Sequence, residues 1–326
     1  MNKIPIDTEA VATETTLCAL CGSKNARFLY TVPDLLLERQ ESVATFVQCQ
    51  NCSLVYQNPR PTFEGMAYHY PPSYESFADP EKMAVQSPLM AKALQYGMYK
   101  RYQFIANYRS SGRLLDIGCA TGAFLRKVRQ EGNWDVYGIE INPDVANYAK
   151  RHYDLNIHIG TLENAGFPDH FFDVVTLWDV LEHLHNPLAT LQEIRRILTH
   201  GGLVVIRVPN GASWDARIFR QYWAGLDAPR HLYVFSPDTL SLLLQKAGFE
   251  LLKRTTRIGG YPTFILSIRF MLNARRANPF VKQTITKLLY HPVMRVISAP
   301  FFWIPSTSGH GPLLVTIAMP QQTCQG

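Results

Sequence analysis

The sequence contains no uninterrupted run of about 20 apolar residues, so no ordinary membrane-spanning helix is expected. Its first 30 residues lack a basic start followed by an apolar stretch, so no secretory signal is read and the expected compartment is the cytoplasm. Charged residues make up only 18% of the 326, while hydrophobic residues reach 47%, which excludes wholesale disorder. Acid is missing altogether from Leu251 to Gly326, where nine Lys and Arg stand alone. The first 250 residues therefore carry 23 basic and 26 acidic groups, and the net +6 belongs to the C-terminal quarter. That quarter is the expected surface for an anionic partner.

Cysteine is scarce, with six in all, but four are paired: Cys18-x2-Cys21 and Cys49-x2-Cys52. Each pair can grip one tetrahedral ion from a tight turn, and two pairs complete a structural Zn2+ site with no open position. Disulfides would suit a secreted chain, and a redox pair would stand alone at a helix start. Residues 1–80 hold five basic and nine acidic groups, a poor phosphate binder, so nucleic acid is not an expected partner.

The chain divides into a polar tail expected to be disordered (1–16), a zinc-ribbon module (17–58) and a linker with a leading helix (59–108). A domain at 109–320 follows, with an insertion at 261–305. From Arg113 strand and helix patterns alternate. Seven strands are read, the last two at FELLKRTTR and PLLVTIAM, and the alternation implies α/β architecture with a parallel sheet covered on both faces.

LLDIGCATGAFL runs strand, loop, helix, with Gly118 and Gly122 in the loop. Glu140 ends the next strand, where a carboxylate can accept hydrogen bonds from both ribose hydroxyls. A dinucleotide fingerprint would need glycine at Ala120 and Ala123, and Asp116 would repel a pyrophosphate. An acidic strand end suits a ligand with a cationic end and no phosphate, such as S-adenosylmethionine. Any α/β enzyme with a tight strand-to-helix turn remains the alternative.

LLDIGCATGAFL, YGIEINP and FDVVTLWDVLEHLHNP, in that order, resemble the motifs of class I S-adenosylmethionine-dependent methyltransferases, especially the ubiquinone-biosynthesis-type group. The resemblance spans about residues 100–257 and the last strand. It implies a seven-stranded Rossmann-like sheet in which Asp116, Gly118 and Gly122 line the methionine and ribose. Cys119 lies in the same loop; it and Ala120 stand where many relatives have other small residues, often a second glycine. Glu140 would hold the ribose hydroxyls, Thr161, Leu162 and Glu163 would flank the adenine, and Trp178 and Asp179 would lie beside the cofactor. The cysteine module resembles N-terminal zinc modules of some bacterial methyltransferases acting on sugar nucleotides and other small molecules.

A hydroxyl or carbon acceptor needs a base, and His183 and His231 are the candidates, each with a structural alternative. Tyr70 and Tyr74 are expected either to close over the cofactor or simply to pack. The insertion puts Val281, Ile285, Leu288, Leu289, Val293, Val296 and Ile297 near one face beside Lys282, Lys287 and Arg295. That pattern suits a lid over the substrate, contact with an anionic membrane, peripheral at its inner face, or a contact between subunits. The expected reaction moves a methyl group to O, C or N of a small-molecule or lipid-linked acceptor, of sugar or isoprenoid type. RNA methylation, or a zinc-ribbon binding protein that has lost turnover, are the rival readings.

Overall fold

The structure, a computed structural model, describes residues 11–71, 88–257 and 261–321. Tyr74 and Cys324 lie outside them. Five short strands come first: β1 (Thr13–Glu14), β2 (Ala26–Asp34), β3 (Arg39–Cys49), β4 (Val55–Gln57) and β5 (Arg60–Pro61). Helix α1 (Pro88–Ala106) leads into β6 (Ser111–Ile117), α2 (Ala123–Glu131), β7 (Asn133–Glu140), α3 (Pro143–Tyr153) and β8 (Asn156–Ile159). Next come β9 (Phe172–Trp178), α4 (Pro187–Ile197), β10 (Leu198–Pro209), α5 (Trp214–Phe219), β11 (Tyr233–Val234), α6 (Pro237–Lys246) and β12 (Phe249–Thr255). Helices α7 (Tyr261–Ala274), α8 (Pro279–Tyr290), α9 (Pro292–Ile297) and α10 (Ala299–Thr307) precede β13 (Leu313–Pro320).

Local chemistry explains the helix starts. Asn142 Oδ1 accepts from the Asp144 and Val145 amides before α3, and Asn186 Oδ1 accepts from the Ala189 amide before α4. Ser236 and Thr239 form a reciprocal capping box before α6. Each of these helices begins with proline, whose missing N–H costs nothing there.

The main sheet has the order β12-β13-β10-β9-β6-β7-β8. Its central strands pair in parallel, and β9 is buried along nearly its whole length, as a strand covered on both faces should be. The expected all-parallel sheet is corrected at β13, which runs antiparallel to both neighbours. The chain therefore re-enters from the end where β12 left it.

A second sheet has the order β11-β4-β3-β2. Its last member comes from far along the chain: Tyr233 pairs with Tyr56 and Val234 with Val55. The cysteine segment is thus built into the larger domain. One apolar core runs continuously from Cys18, Leu20, Leu54 and Tyr56 to Leu177, Leu232 and Leu244. The Lys246 ammonium at the end of α6 donates to the Leu20 carbonyl at 2.7 Å. The tail reading is also corrected for its described part. β1 pairs with β5, and Arg60 meets Glu14 at 2.7 Å, so this part of the tail is folded onto the Arg60–Pro61 strand.

Candidate active site

The glycine loop follows β6 at the carboxyl ends of the parallel strands, where open α/β sheets bind ligands. Gly118 has φ +69° and Gly122 φ +75°, a region that favours glycine. A Cβ at Gly118 would stand 2.6 Å from Val180 Cγ2, and one at Gly122 would stand 2.4 Å from Leu155 Cδ1. Cys119 turns its sulfur into the core beneath Gly138, so only its backbone can serve a ligand.

Asp116 is buried at the end of β6 and accepts a 2.6 Å hydrogen bond from the Thr176 hydroxyl. Burial pushes its carboxyl up to about 7, against the pull of that bond and of Arg101. Glu140, also buried, accepts from the Ala120 amide at 3.0 Å and the Asn142 amide at 2.9 Å. It therefore clamps the glycine loop to the start of α3 while keeping lone pairs for a ligand. Trp178 buries an indole N–H with no hydrogen-bond partner, and its ring lies under the Arg101 guanidinium at 5.2 Å. Asp179 is held by Arg207, with Nε to Oδ1 at 2.9 Å and a second, shorter contact from the other guanidinium nitrogen to Oδ2. Thr161 is half-buried and Leu162 is core. The exposed Glu163 accepts from the Thr190 hydroxyl at 3.0 Å.

His183 and His231 come together, with ring centroids 4.5 Å apart. His231 Nδ1 lies 2.9 Å from the Gly225 carbonyl, which only accepts, so Nδ1 carries the proton and Nε2 the lone pair. His183 Nδ1 lies 3.1 Å from the Arg230 carbonyl and 2.8 Å from the Tyr70 hydroxyl. Tyr70 thus meets the histidines. Burial, and then His231, push His183 down to about 3, so it is neutral and weakly basic at pH 7. Burial also holds His231 below the usual histidine range, with Asp227 opposing. Glu182 joins them from the turn Leu181–His183. Burial, and then Asp179, raise its carboxyl well above the usual range.

The N-terminal sheet holds this cluster in place. Arg230 is fully buried and meets Asp34 of β2 through two 2.8 Å contacts. It also meets Asp227 at 2.8 Å. Gln57 donates to the carbonyls of Pro229 at 2.8 Å and His231 at 2.6 Å. Arg60 donates to the His185 carbonyl at 2.9 Å and to the Tyr233 hydroxyl at 2.8 Å. Sequence reading missed Asp34, Gln57, Arg101, Glu182 and Arg207 as parts of the site, whereas Arg230 stands in the run Asp227-x-Pro229-Arg230-His231, which resembles a motif of the methyltransferase group. For Asp34 a signal was present, since it ends an apolar strand pattern.

The four paired cysteines also meet, with all four sulfurs within 4.8 Å of one another. Cys18–Cys52 and Cys21–Cys49 are each 3.4 Å apart, too far for S–S bonds of about 2.05 Å. Sulfurs about 2.3 Å from a tetrahedral ion sit about 3.8 Å apart, so the donor set fits zinc.

A glycine loop between parallel strand ends, with acid on both strands, is an arrangement at which open α/β sheets bind nucleotide cofactors. Residues 90–254, half of the chain, match the methyltransferase-domain family, and the chain belongs to that family. The chain carries a methyltransferase domain over these residues. It is 32% identical over 149 residues to a ubiquinone biosynthesis O-methyltransferase of Cereibacter sphaeroides, a match covering 42% of this chain and 60% of that relative. It is 27% identical over 203 residues to a ubiquinone/menaquinone biosynthesis C-methyltransferase of Burkholderia mallei, covering 53% and 83%. A solved S-adenosylmethionine-dependent methyltransferase from Archaeoglobus fulgidus aligns with 68% of this chain and 91% of its own, at 20% identity and a TM-score of 0.45.

Proposed function

We propose that the protein methylates an O, C or N atom of a small-molecule or lipid-linked acceptor at a membrane surface, with zinc holding its N-terminal sheet. S-adenosylmethionine supplies an electrophilic methyl group on a positively charged sulfur. The chain's part is to align that group with an acceptor and to manage the acceptor's proton. Asp116 suits the ammonium end of the cofactor, and Arg101, above Trp178, suits its carboxylate. Glu140 suits the ribose hydroxyls, with Gly118, Cys119 and Gly122 giving backbone approach. Thr161, Leu162 and Glu163 suit the adenine side, and Trp178 and Asp179 border the pocket. His231 Nε2 is the proton acceptor of choice, because His183 is the weaker base. The four cysteines take a structural zinc.

The pH dependence of cofactor binding follows from Asp116. Its carboxyl is neutral below about 7, and a cationic ligand favours the ionised form. Affinity should therefore rise from pH 6 to pH 8, by up to about tenfold per unit below 7, with proton release on binding. Calorimetry in two buffers of different ionisation heat reads both effects. Affinity independent of pH, with no proton released, would contradict this role for Asp116.

The observation that carries the membrane reading is the insertion. Helix α7 is anchored through Ile265 and Phe270, but α8 buries no residue. Phe280 (75%), Tyr290 (64%), Ile297 (65%) and Trp303 (68%) are exposed on α8 to α10, in a segment of basic residues without one acid. No helix among the described residues is long and apolar enough to cross a membrane. Exposed apolar groups with Arg and Lys among them suit an anionic bilayer surface, where each cation contributes about 1 kcal/mol. Flotation with anionic vesicles should be strong at low salt and weak at high salt, and absent with neutral vesicles. Failure to float at low salt would sink the membrane reading and assign the helices to a lid over a soluble acceptor.

A further inference from the structure

The buried carboxylate of Glu182 is an anomaly. It is 1% exposed, and neither of its oxygens has a hydrogen-bond partner. A carboxyl group in that state needs a proton, a cation or a ligand. Two neutral imidazoles stand beside it. One carboxylate oxygen and one ring nitrogen from each of His183 and His231 lie within 4.8 Å of one another. His231 Nε2 is 3.8 Å from Glu182 Oε1. That distance is too long for a hydrogen bond. Two ligands about 2.0–2.2 Å from one tetrahedral ion stand about 3.3–3.6 Å apart, so a few tenths of an ångström of closure would bring both onto the same ion.

We propose that Glu182, His183 and His231 form a binding site for one divalent transition-metal cation, distinct from the four-cysteine cluster. Two imidazoles and one carboxylate suit Zn2+, Co2+, Fe2+ or Mn2+ better than Mg2+ or Ca2+, whose ligands are oxygens. The surrounding contacts are those a metal site needs to orient its ligands. The Gly225 carbonyl holds His231 Nδ1, leaving Nε2 as the donor facing Glu182. The Tyr70 hydroxyl and the Arg230 carbonyl hold the His183 ring. The neighbouring acids are already neutralised, Asp179 by Arg207 and Asp227 by Arg230, so Glu182 is the carboxylate left for the ion. Three protein ligands leave coordination positions open for an oxygen of the acceptor. The binding stands on the geometry alone. The role in acceptor binding rests on the proposed function, and it turns His231 Nε2 from proton acceptor into ligand.

Titration of the full-length protein with Co2+, followed by visible absorption, tests the site. Cobalt at the four cysteines gives thiolate charge-transfer absorption, whereas cobalt at two imidazoles and a carboxylate gives ligand-field bands without it. The wild type should take up one Co2+ of the second kind, competed by Zn2+. Glu182→Gln and His231→Ala should each weaken that uptake by about tenfold or more. S-adenosylmethionine affinity, measured on the same samples, should be retained and reports that each variant is folded. Absence of the ligand-field species in the wild type, or its persistence unchanged in Glu182→Gln, would overturn the proposal. Failure of the cofactor to bind the wild type would instead overturn the placement of the cofactor pocket, and leaves the cobalt result independent.

Discussion

Asp34→Ala is expected to destabilise the protein by about 3–5 kcal/mol, because it leaves the Arg230 guanidinium buried without its main partner. Asp34 and Arg230 are both 0% exposed, and two 2.8 Å contacts join them across 196 residues of sequence. Burial disfavours the Arg230 charge, but Asp34 and Asp227 more than restore it, so the cation persists. In the variant Asp227 remains against it, with the His69 and Ala228 carbonyls at 3.4 Å. The displaced Arg230 carries His231 with it, so methyl transfer should fall more than cofactor binding. Denaturant unfolding and cofactor calorimetry measure the two effects. A stability loss below about 1 kcal/mol, typical of an exposed pair, would show that this pair does not lock the N-terminal sheet to the loop.

The second large effect is expected from the cysteine cluster. Cys49→Ser should abolish zinc content and lower methyl transfer by about a hundredfold, the cost of displacing reacting groups by about an ångström. The path is structural. Cys49 ends β3, β3 pairs with β4, and β4 pairs with β11 just past His231. Gln57 of β4 also grips the Pro229 and His231 carbonyls. Zinc binding in small four-ligand modules contributes about 10–16 kcal/mol, so its loss should loosen the whole sheet. Cofactor affinity should survive, because Asp116 and Glu140 belong to the other sheet. Elemental analysis, a transfer assay and calorimetry on one preparation separate these outcomes. Full transfer activity in zinc-free protein would contradict a link between the cluster and His231.

Much of the fold was legible because its signals are local. The alternation from Arg113 onward and the apolar FDVVTLW strand each reflect chemistry within a dozen residues. The spacing Cys18/Cys21 and Cys49/Cys52 likewise anticipated a cluster that the structure assembles. What sequence could not reveal was pairing at long range. Tyr233–Val234 is too short to read as a strand, and it becomes one only because β4 offers an edge. The module boundary at residue 58 dissolved for the same reason. The residues after it form β5 against β1, and the core crosses it without interruption. Glu182 carries no signal in sequence beyond standing beside a histidine, because its isolation lies in two buried oxygens without partners.

The most direct test of the cofactor site is a calorimetric titration of wild type and Glu140→Ala with S-adenosylmethionine. The wild type should bind one molecule per chain, and the variant should bind it at least about tenfold more weakly, the cost of leaving hydroxyls unpaired in a closed pocket. The Asn142 and Ala120 amides also lose their acceptor in the variant, so a thermal melt confirms that the sheet survives. Equal affinity in a folded Glu140→Ala protein would contradict the placement of the ribose and, with it, the assignment of this strand edge as the cofactor pocket.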